Sequence, residues 1–578
     1  MSKPHTGSES DGIQELIERT GDALGDGRYP FEITNNDELY PLELRRIFGR
    51  AWVYLGHVSE FEEPGDYARR YIGEDPFILT RDETGELHAF LDSCMHRGAQ
   101  FCTAESGNTS HFRCPYHGWT YRNDGSLQGM PHMSEAYQDL DEGEIELESA
   151  HLDTYRGLIF GRIADEGPTL EAYLGDFTWY LDVLFGPTAD GMTVVGEPHR
   201  WESGHDWKTS ADNFSGDSYH VLTTHQAGLE TETLARGPWE ELDDFPESSY
   251  LACTDRHSMG YYLSADPDTY MGYPDRIREC LNPDLSDAQA ELFGRSVFHF
   301  GTVFPNMSII HGIQSGGWGG PWACIRKWNP RGPGTTETTS WWLVPEELAA
   351  DDSFLEDSHR GWESLSPGGA FESDDLTIWE GISDSGGAVT HELRETRGNM
   401  QQGMGAMTDE VERVDDPIHG PAEVTTKGLY LDAFELGEWF SLLEEDVTLE
   451  VPVRVARDPG SERSEFSEES NYLREDYEMI RERVGRLEKE YAWSENPRSR
   501  VRHVIGNVRV IDASDDELTV ANNQHVFRSY GDTADHDMLS AKRHTVLRES
   551  DGEYSIAERT VYLDHSVLNT KNLTLPLL

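Results

Sequence analysis

Four residues constrain this chain more than any others: Cys94 and His96 around Met95, and Cys114 and His117 around Pro115 and Tyr116. Each short loop offers one thiolate and one imidazole. Brought together from neighbouring hairpins, the two loops can give both thiolates to one metal ion and both imidazoles to another. The alternative is a single tetrahedral zinc ion, whose ligand preferences the same residues satisfy. Zinc fingers, however, pair Cys with Cys and His with His along the chain, whereas here both pairs are mixed. The flanking Arg97-Gly98 and Gly118-Trp119 favour the two-metal reading.

A two-iron site of this kind is a Rieske 2Fe-2S centre. Neutral imidazole in place of charged thiolate lowers the cluster's negative charge and raises its potential, so it accepts electrons readily. A second group of ligand types lies in DNFSGDSYHVLTTH, Asp212 to His225, with His220, His225 and Asp217. Two imidazoles and one carboxylate make the facial triad of non-haem Fe(II), with positions left open for dioxygen. On an ideal helix, positions i and i+5 stand about 140° apart. Both rings therefore reach one metal only if the helix ends or widens near Thr223–Thr224. Alone, such a pair reads as two surface histidines; beside a Rieske motif it reads as a metal site whose third ligand comes from elsewhere.

The charge balance limits the partners. With 47 Lys+Arg against 108 Asp+Glu, a formal net charge of -61, the chain is repelled by nucleic acid and by anionic membranes. The acidity runs along the whole chain and lysines are few, as on the solvated surface of a salt-adapted, halophilic protein. No run approaches the roughly 20 apolar residues of a membrane span. Met1 to Pro30 lacks the apolar core of a secretory signal, so a cytoplasmic protein is expected. Six cysteines are too sparse for a disulfide framework in 578 residues.

Such a length suggests roughly three or four domains. Residues 1–36 form a polar arm, with at most a short amphipathic helix around Ile13 to Ile17. Short apolar runs such as YARRYIG, DPFILTRD, ELHAFLDS and GLIFGRI predict an antiparallel β-domain over 37–165. Helices mixed with strands such as SVFHFGTVF and TTSWWLV predict an α+β domain over 166–404. Lost periodicity with Pro, Gly and charge predicts a linker at 405–428. Over 429–578 the pattern is helices followed by a curved antiparallel sheet. One helix is expected through LDAFELGEWFSLLEED, and a second places Leu473, Tyr477, Ile480, Val484 and Leu487 on one stripe. No dinucleotide fingerprint appears in a strand-turn-helix setting, so NAD(P)H and flavin are expected on a partner protein.

The segments CMHRGA and CPYHGWTY resemble the cluster loops of the Rieske non-haem iron aromatic-ring-hydroxylating dioxygenases. Met95 stands where that family usually has Arg or Lys. The resemblance runs from Leu39 to about Met404 and covers the large, alpha subunit. ARDPGSERSEF, AWSENPRSRVRHVIGNVRV and RTVYLDHSVLNTKNL resemble the separate small, beta subunit, here fused behind the large one. The fold implied is α+β multidomain: a Rieske β-domain, a helix-grip-like α+β catalytic domain and a C-terminal cone-shaped, nuclear-transport-factor-like α+β domain. The junction is compressed between 405 and 439.

By the same resemblance Cys94, His96, Cys114 and His117 hold the cluster. SPGGAFESDD, Ser366 to Asp375, supplies Asp375 as third iron ligand beside His220 and His225, and Asp374 becomes a helix cap or surface charge. Asn213 lies close to the iron. Asp217 bridges an iron-ligating histidine to a Rieske histidine of a neighbouring subunit, which carries electrons through His117 and requires a homotrimer. Phe214, Leu222, Leu229, Leu365 and Phe371 are candidate pocket residues for a hydrophobic arene. NFSGDSYHVLTTH looks closer to the naphthalene branch than to the benzoate branch. His503, His525 and His544 are expected to be non-catalytic. The implied activity is that of a terminal oxygenase adding both atoms of dioxygen to an aromatic ring, with NAD(P)H electrons arriving through an external ferredoxin or reductase. Monooxygenation or demethylation on the same iron is the alternative, and a Rieske electron carrier without oxygenase activity a further one.

Overall fold

Apolar residues alternating over short runs, punctuated by glycine and aspartate turns, build half-buried antiparallel strands. The computed structural model describes residues 11–24, 28–137, 140, 143, 145–215, 217, 220–227, 249–264, 266–312, 320–399, 417–426, 443–457, 461, 463–486, 492–495, 499–514, 517–530, 536–550, 553–570 and 572–573. In the Rieske-motif region Leu87–Leu91, Asp75–Arg81, Asp66–Ile72 and Ser106–Asn108 make one sheet in that order. His111–Arg113, Thr120–Arg122 and Leu127–Gly129 make a second. Cys94 follows the edge strand of the first, and Cys114 sits in the hairpin of the second. Tyr67, Ile78, Phe90, Phe112 and Tyr121 form a small core between them.

The larger unit is a nine-stranded sheet, in the order Met192–Val194, Thr335–Pro345, Trp322–Gly332, Met307–Gly312, Ser296–Val303, Ser258–Leu263, Ser249–Cys253 and Glu423–Thr426, with His199–Ser203 also on Thr335–Pro345. Bulky tryptophans fill its core, and three of their indole N–H groups find serine hydroxyls there. Trp328 donates to Ser308 Oγ (2.8 Å), Trp342 to Ser358 Oγ (3.1 Å) and Trp362 to Ser340 Oγ (3.2 Å). The helices Trp207–Phe214 and Asp352–Glu363 pack against this sheet, and Ala370–Gly386 packs on Trp207–Phe214 and sets Trp379 edge-on to Trp328.

Part of the stretch expected as a linker belongs to this sheet. Glu423–Thr426 pairs antiparallel with Ser249–Cys253. His419 is buried beside it, with Nδ1 2.8 Å from Tyr261 Oη. Its proline, glycine and charge content hid a four-residue edge strand. Residues 405–416 and 427–428 lie outside the described residues.

The C-terminal unit is a six-stranded sheet ordered Phe466–Asp476, Leu443–Arg454, Glu553–Leu563, Asp537–Ser550, Glu517–Ser529 and Arg500–Ala513. Three expectations change here. Leu443–Asp446, read as the tail of a helix, begins a strand, because Val447, Leu449, Val451 and Val453 alternate into the core; residues 431–442 lie outside the described residues. Leu473 belongs to a strand, and the helix starts at Tyr477 and ends at Arg486. The sheet is mixed, since Leu443–Arg454 runs parallel to Glu553–Leu563.

This unit shares the core of the nine-stranded sheet. Leu568 exchanges backbone hydrogen bonds with Arg200 and Glu202, and Leu573 N–H reaches Pro367 O at 3.0 Å. The His199 ring stacks between Trp362 and Tyr472. At the other end, the polar arm contains the helix Asp11–Leu24, which buries Ile13 and Leu16 against Leu42. Among the described residues no helix is long and apolar enough to cross a membrane.

Candidate metal centres

The two motif loops share one backbone design. Cys94 N–H donates to Ala99 O (2.9 Å) and Gly98 N–H to Cys94 O (2.7 Å), while Cys114 N–H donates to Trp119 O (2.8 Å) and Gly118 N–H to Cys114 O (2.9 Å). Gly98 and Gly118 both sit at φ 72°, which glycine adopts without strain. Both cysteines are buried, whereas His117, Met95 and Tyr116 are exposed. The His96 ring meets His117 at 4.4 Å between centroids and stacks on Trp119 at 5.0 Å. Its Nδ1 is buried without a hydrogen-bond partner. Tyr121 Oη, which takes the Met95 N–H, lies 3.3 Å from Cys94 Sγ. Burial and the neighbouring Cys114 push the Cys94 thiol pKa up, against the Tyr121 contact. Two converging thiols and an orphaned imidazole nitrogen fit a two-iron cluster with its histidine side at the surface.

The second centre forms where one helix stops and another begins. Val221–Thr224 is a single turn that ends at His225 (φ -102°, ψ 18°), so His220 and His225 flank it and turn toward one point. The third residue arrives on the helix Ala370–Gly386. Its entry passes so close to the preceding turn that a Cβ on Gly369 would lie 2.0 Å from Ser364 O. His225 Nε2 lies 3.3 Å and His220 Nε2 3.6 Å from Asp375 Oδ1. The three ligand atoms fall within 4.8 Å of one another. The Nδ1 of His225 is buried without a hydrogen-bond partner, and the buried Nδ1 of His220 faces the Asp217 carboxylate.

Burial raises the Asp375 pKa, but His225 and His220 outweigh it and hold the carboxyl below its ordinary range. Burial lowers the His220 pKa, and Asp217 and Asp375 outweigh it, for a net rise. Asp217 Oδ2 stands 3.5 Å from His220 Nδ1, with 44% of its side chain exposed. A cation between two imidazoles and a carboxylate answers all of these features.

The other expected site residues fall around this point. Phe371 sets its ring edge-on to His225 at 5.0 Å. Phe214 packs against Trp328 and Trp379, and Leu365 is buried with its carbonyl taken by Arg326. Asn213 is half-buried in the last turn of Trp207–Phe214. Leu229 and the Leu222 side chain lie outside the described residues.

Asp374 is neither a cap nor a surface charge. It is fully buried, with Arg486 Nη2 2.5 Å from its Oδ2 and the Ser494 N–H on its Oδ1 at 3.3 Å. Consecutive helix positions point about 100° apart, so Asp375 faces the histidines while Asp374 faces the C-terminal unit. Nothing near Asp374 in the sequence marks a partner so far down the chain.

Three family descriptions match in sequence: Rieske [2Fe-2S] domain over residues 51–155, Ring hydroxylating alpha subunit (catalytic domain) over 192–412, and Ring hydroxylating beta subunit over 427–570. The chlorobenzene dioxygenase alpha subunit of Cupriavidus sp. (strain PS12) is 32% identical over 415 residues, covering 68% of this chain and 86% of that one. The chain belongs to the Rieske ring-hydroxylating dioxygenase family. Within that family it is also similar to the N,N-dimethyl phenylurea N-demethylase alpha subunit of Sphingobium sp. (strain YBL2), 32% identical over 385 residues, 65% of this chain and 84% of that one. The crystal structure of naphthalene 1,2-dioxygenase from Rhodococcus sp. bound to indole matches with TM-score 0.67 and 37% identity, covering 72% of this chain and 94% of that one.

A Rieske ring-hydroxylating dioxygenase carries a 2Fe-2S cluster and a mononuclear iron, and the two donor sets described above suit them. In this family member the alpha and beta regions follow one another on one polypeptide. Sequence reasoning missed Tyr121, Arg326, Arg486 and Trp493. Tyr121 stood inside CPYHGWTY and Trp493 inside AWSENPRSRVRHVIGNVRV, whereas Arg326 and Arg486 stood near no motif.

Proposed function

We propose that this chain is a terminal oxygenase that adds both atoms of dioxygen to a hydrophobic arene, giving a cis-dihydrodiol. The observation that carries the reading is the convergence of His220, His225 and Asp375 in a chain that also holds the Rieske loops. Cys94, His96, Cys114 and His117 would hold the cluster, and His220, His225 and Asp375 the iron. With iron bound, the triad leaves coordination positions open for dioxygen activation. Phe371 packs on His225 and fixes its ring, while Asp217 orients His220 through Nδ1.

Electrons enter from a separate ferredoxin or reductase that uses NAD(P)H. The exposed His117 and the half-exposed Asp217 support a path that crosses between subunits of a homotrimer, with Asn213 close to the iron. In this reading 37–165 delivers electrons, 166–404 performs the chemistry and 429–578 acts as the fused small subunit. Phe214, Leu222, Leu365 and Phe371 contribute to the arene pocket. The acidic composition supports a salt-adapted protein, and the reading places it in the cytoplasm.

Supplying the reconstituted protein with 18O2 and a panel of arenes tests this. Diols carrying both labelled atoms are expected. The similarity to an N-demethylase alpha subunit favours a second reading, N-dealkylation; formaldehyde release from N-methyl aryl compounds without labelled diol would select it.

A further inference from the structure

We propose that Arg486 and Trp493 are positioning residues for the mononuclear iron, through which the fused C-terminal domain sets the geometry of the triad. The inference rests on reading His220, His225 and Asp375 as the iron site. The turn Trp493–Glu495 touches both metal-bearing helices with consecutive residues. Trp493 Nε1 donates to Thr223 O at 3.3 Å, and the Ser494 N–H donates to Asp374 Oδ1 at 3.3 Å. Thr223 lies between His220 and His225, at a helix end whose carbonyls lack intrahelical donors. Asp374 directly precedes Asp375.

The turn is itself held from its own sheet. Tyr530 Oη donates to Trp493 O (2.7 Å) and Arg528 Nη2 to Ser494 O (3.0 Å), with Arg528 buried and paired to Asp537 at 3.1 Å. From the end of its helix, Arg486 completes the grip on Asp374 and approaches Ser373 Oγ at 3.4 Å. Arg486 and Asp374 are 1% and 0% exposed. An apolar pair of similar volume would serve the fold about as well as this one, because desolvating two charges costs much of what their attraction returns. What an apolar pair would not supply is direction. The ion pair fixes the rotation of the Ala370–Gly386 helix, and with it where Asp375 points, while Trp493 fixes the turn between the histidines.

The test uses the full-length holoenzyme and the rate at which bipyridine strips its mononuclear iron, with the Rieske visible spectrum as internal reference. Trp493→Phe keeps an aromatic ring and removes the donor. Arg486→Met/Asp374→Leu replaces the pair with apolar side chains, which keeps the fold even where Arg486→Met alone does not. Both are expected to release iron about tenfold faster, with wild-type thermal midpoints and unaltered Rieske spectra. Asp375→Ala is expected to lack the mononuclear iron altogether. Wild-type release from both variants, with an iron-depleted Asp375→Ala, overturns this inference alone. An Asp375→Ala protein that keeps the iron overturns the triad and this inference with it.

Discussion

Arg326 and Glu372 form an ion pair with 1% and 0% side-chain exposure, one helical turn ahead of Asp375. Arg326 reaches it from the strand Trp322–Gly332, also donates to Leu365 O, and lies 5.5 Å from the Trp201 ring and 5.6 Å from those of Phe214 and Trp328. Removing one partner of such a pair leaves an uncompensated buried charge. Arg326→Met should therefore destabilise the fold by about 3–5 kcal/mol in denaturant titrations. Arg326→Met/Glu372→Leu should recover most of that loss.

Asp217→Asn tests electron transfer separately from metal binding. Asparagine keeps the size but loses the charge, and one acceptor becomes a donor, so it no longer accepts N–H bonds from two imidazoles. Iron content and reduction of the Rieske cluster should be normal, while product formation falls about 10- to 100-fold or more. Stopped-flow reduction of the cluster followed by single-turnover product analysis separates the two steps.

Acid should weaken the fold through buried neutral histidines. Burial lowers His205, His311 and His359 to about 3, and His57 and His257 to about 4. Below about 6.5 the unfolded chain takes up protons that the native state refuses. The stability these groups leave intact above that pH is lost as pH falls from there toward 4. Thermal midpoints measured from pH 8 down to pH 5 should be level at first and then drop steeply below about 6.5.

Screening should stabilise a chain with 108 acidic and 47 basic residues. The thermal midpoint is expected to rise from low to molar KCl. A flat or falling midpoint contradicts the salt-adapted reading.

What the sequence disclosed was local. The cluster loops carry their ligands within a few residues of Cys94 and Cys114, and the requirement that a helix stop near Thr224 followed from the spacing of His220 and His225 alone. Asp375 needed the family resemblance, because its partners lie on another helix. Asp374 was misread because Arg486 comes from a different sheet unit, and no local pattern distinguishes a buried acid from its exposed neighbours in so acidic a chain. Helical spacing likewise suggested a place on a helix for Leu473. Strand residues packed on both faces lose the two-residue alternation that would have identified them, as the buried Tyr472 and Leu473 show.

Counting iron most directly tests the claim of two metal centres on one chain. The purified holoenzyme should contain about three irons per chain, two in the cluster and one at the triad. His220→Ala should contain about two with an unchanged Rieske spectrum, and Cys94→Ala should lose that spectrum while keeping the single iron. About two irons in the wild type, unchanged by His220→Ala, would contradict the oxygenase reading and leave a Rieske electron carrier.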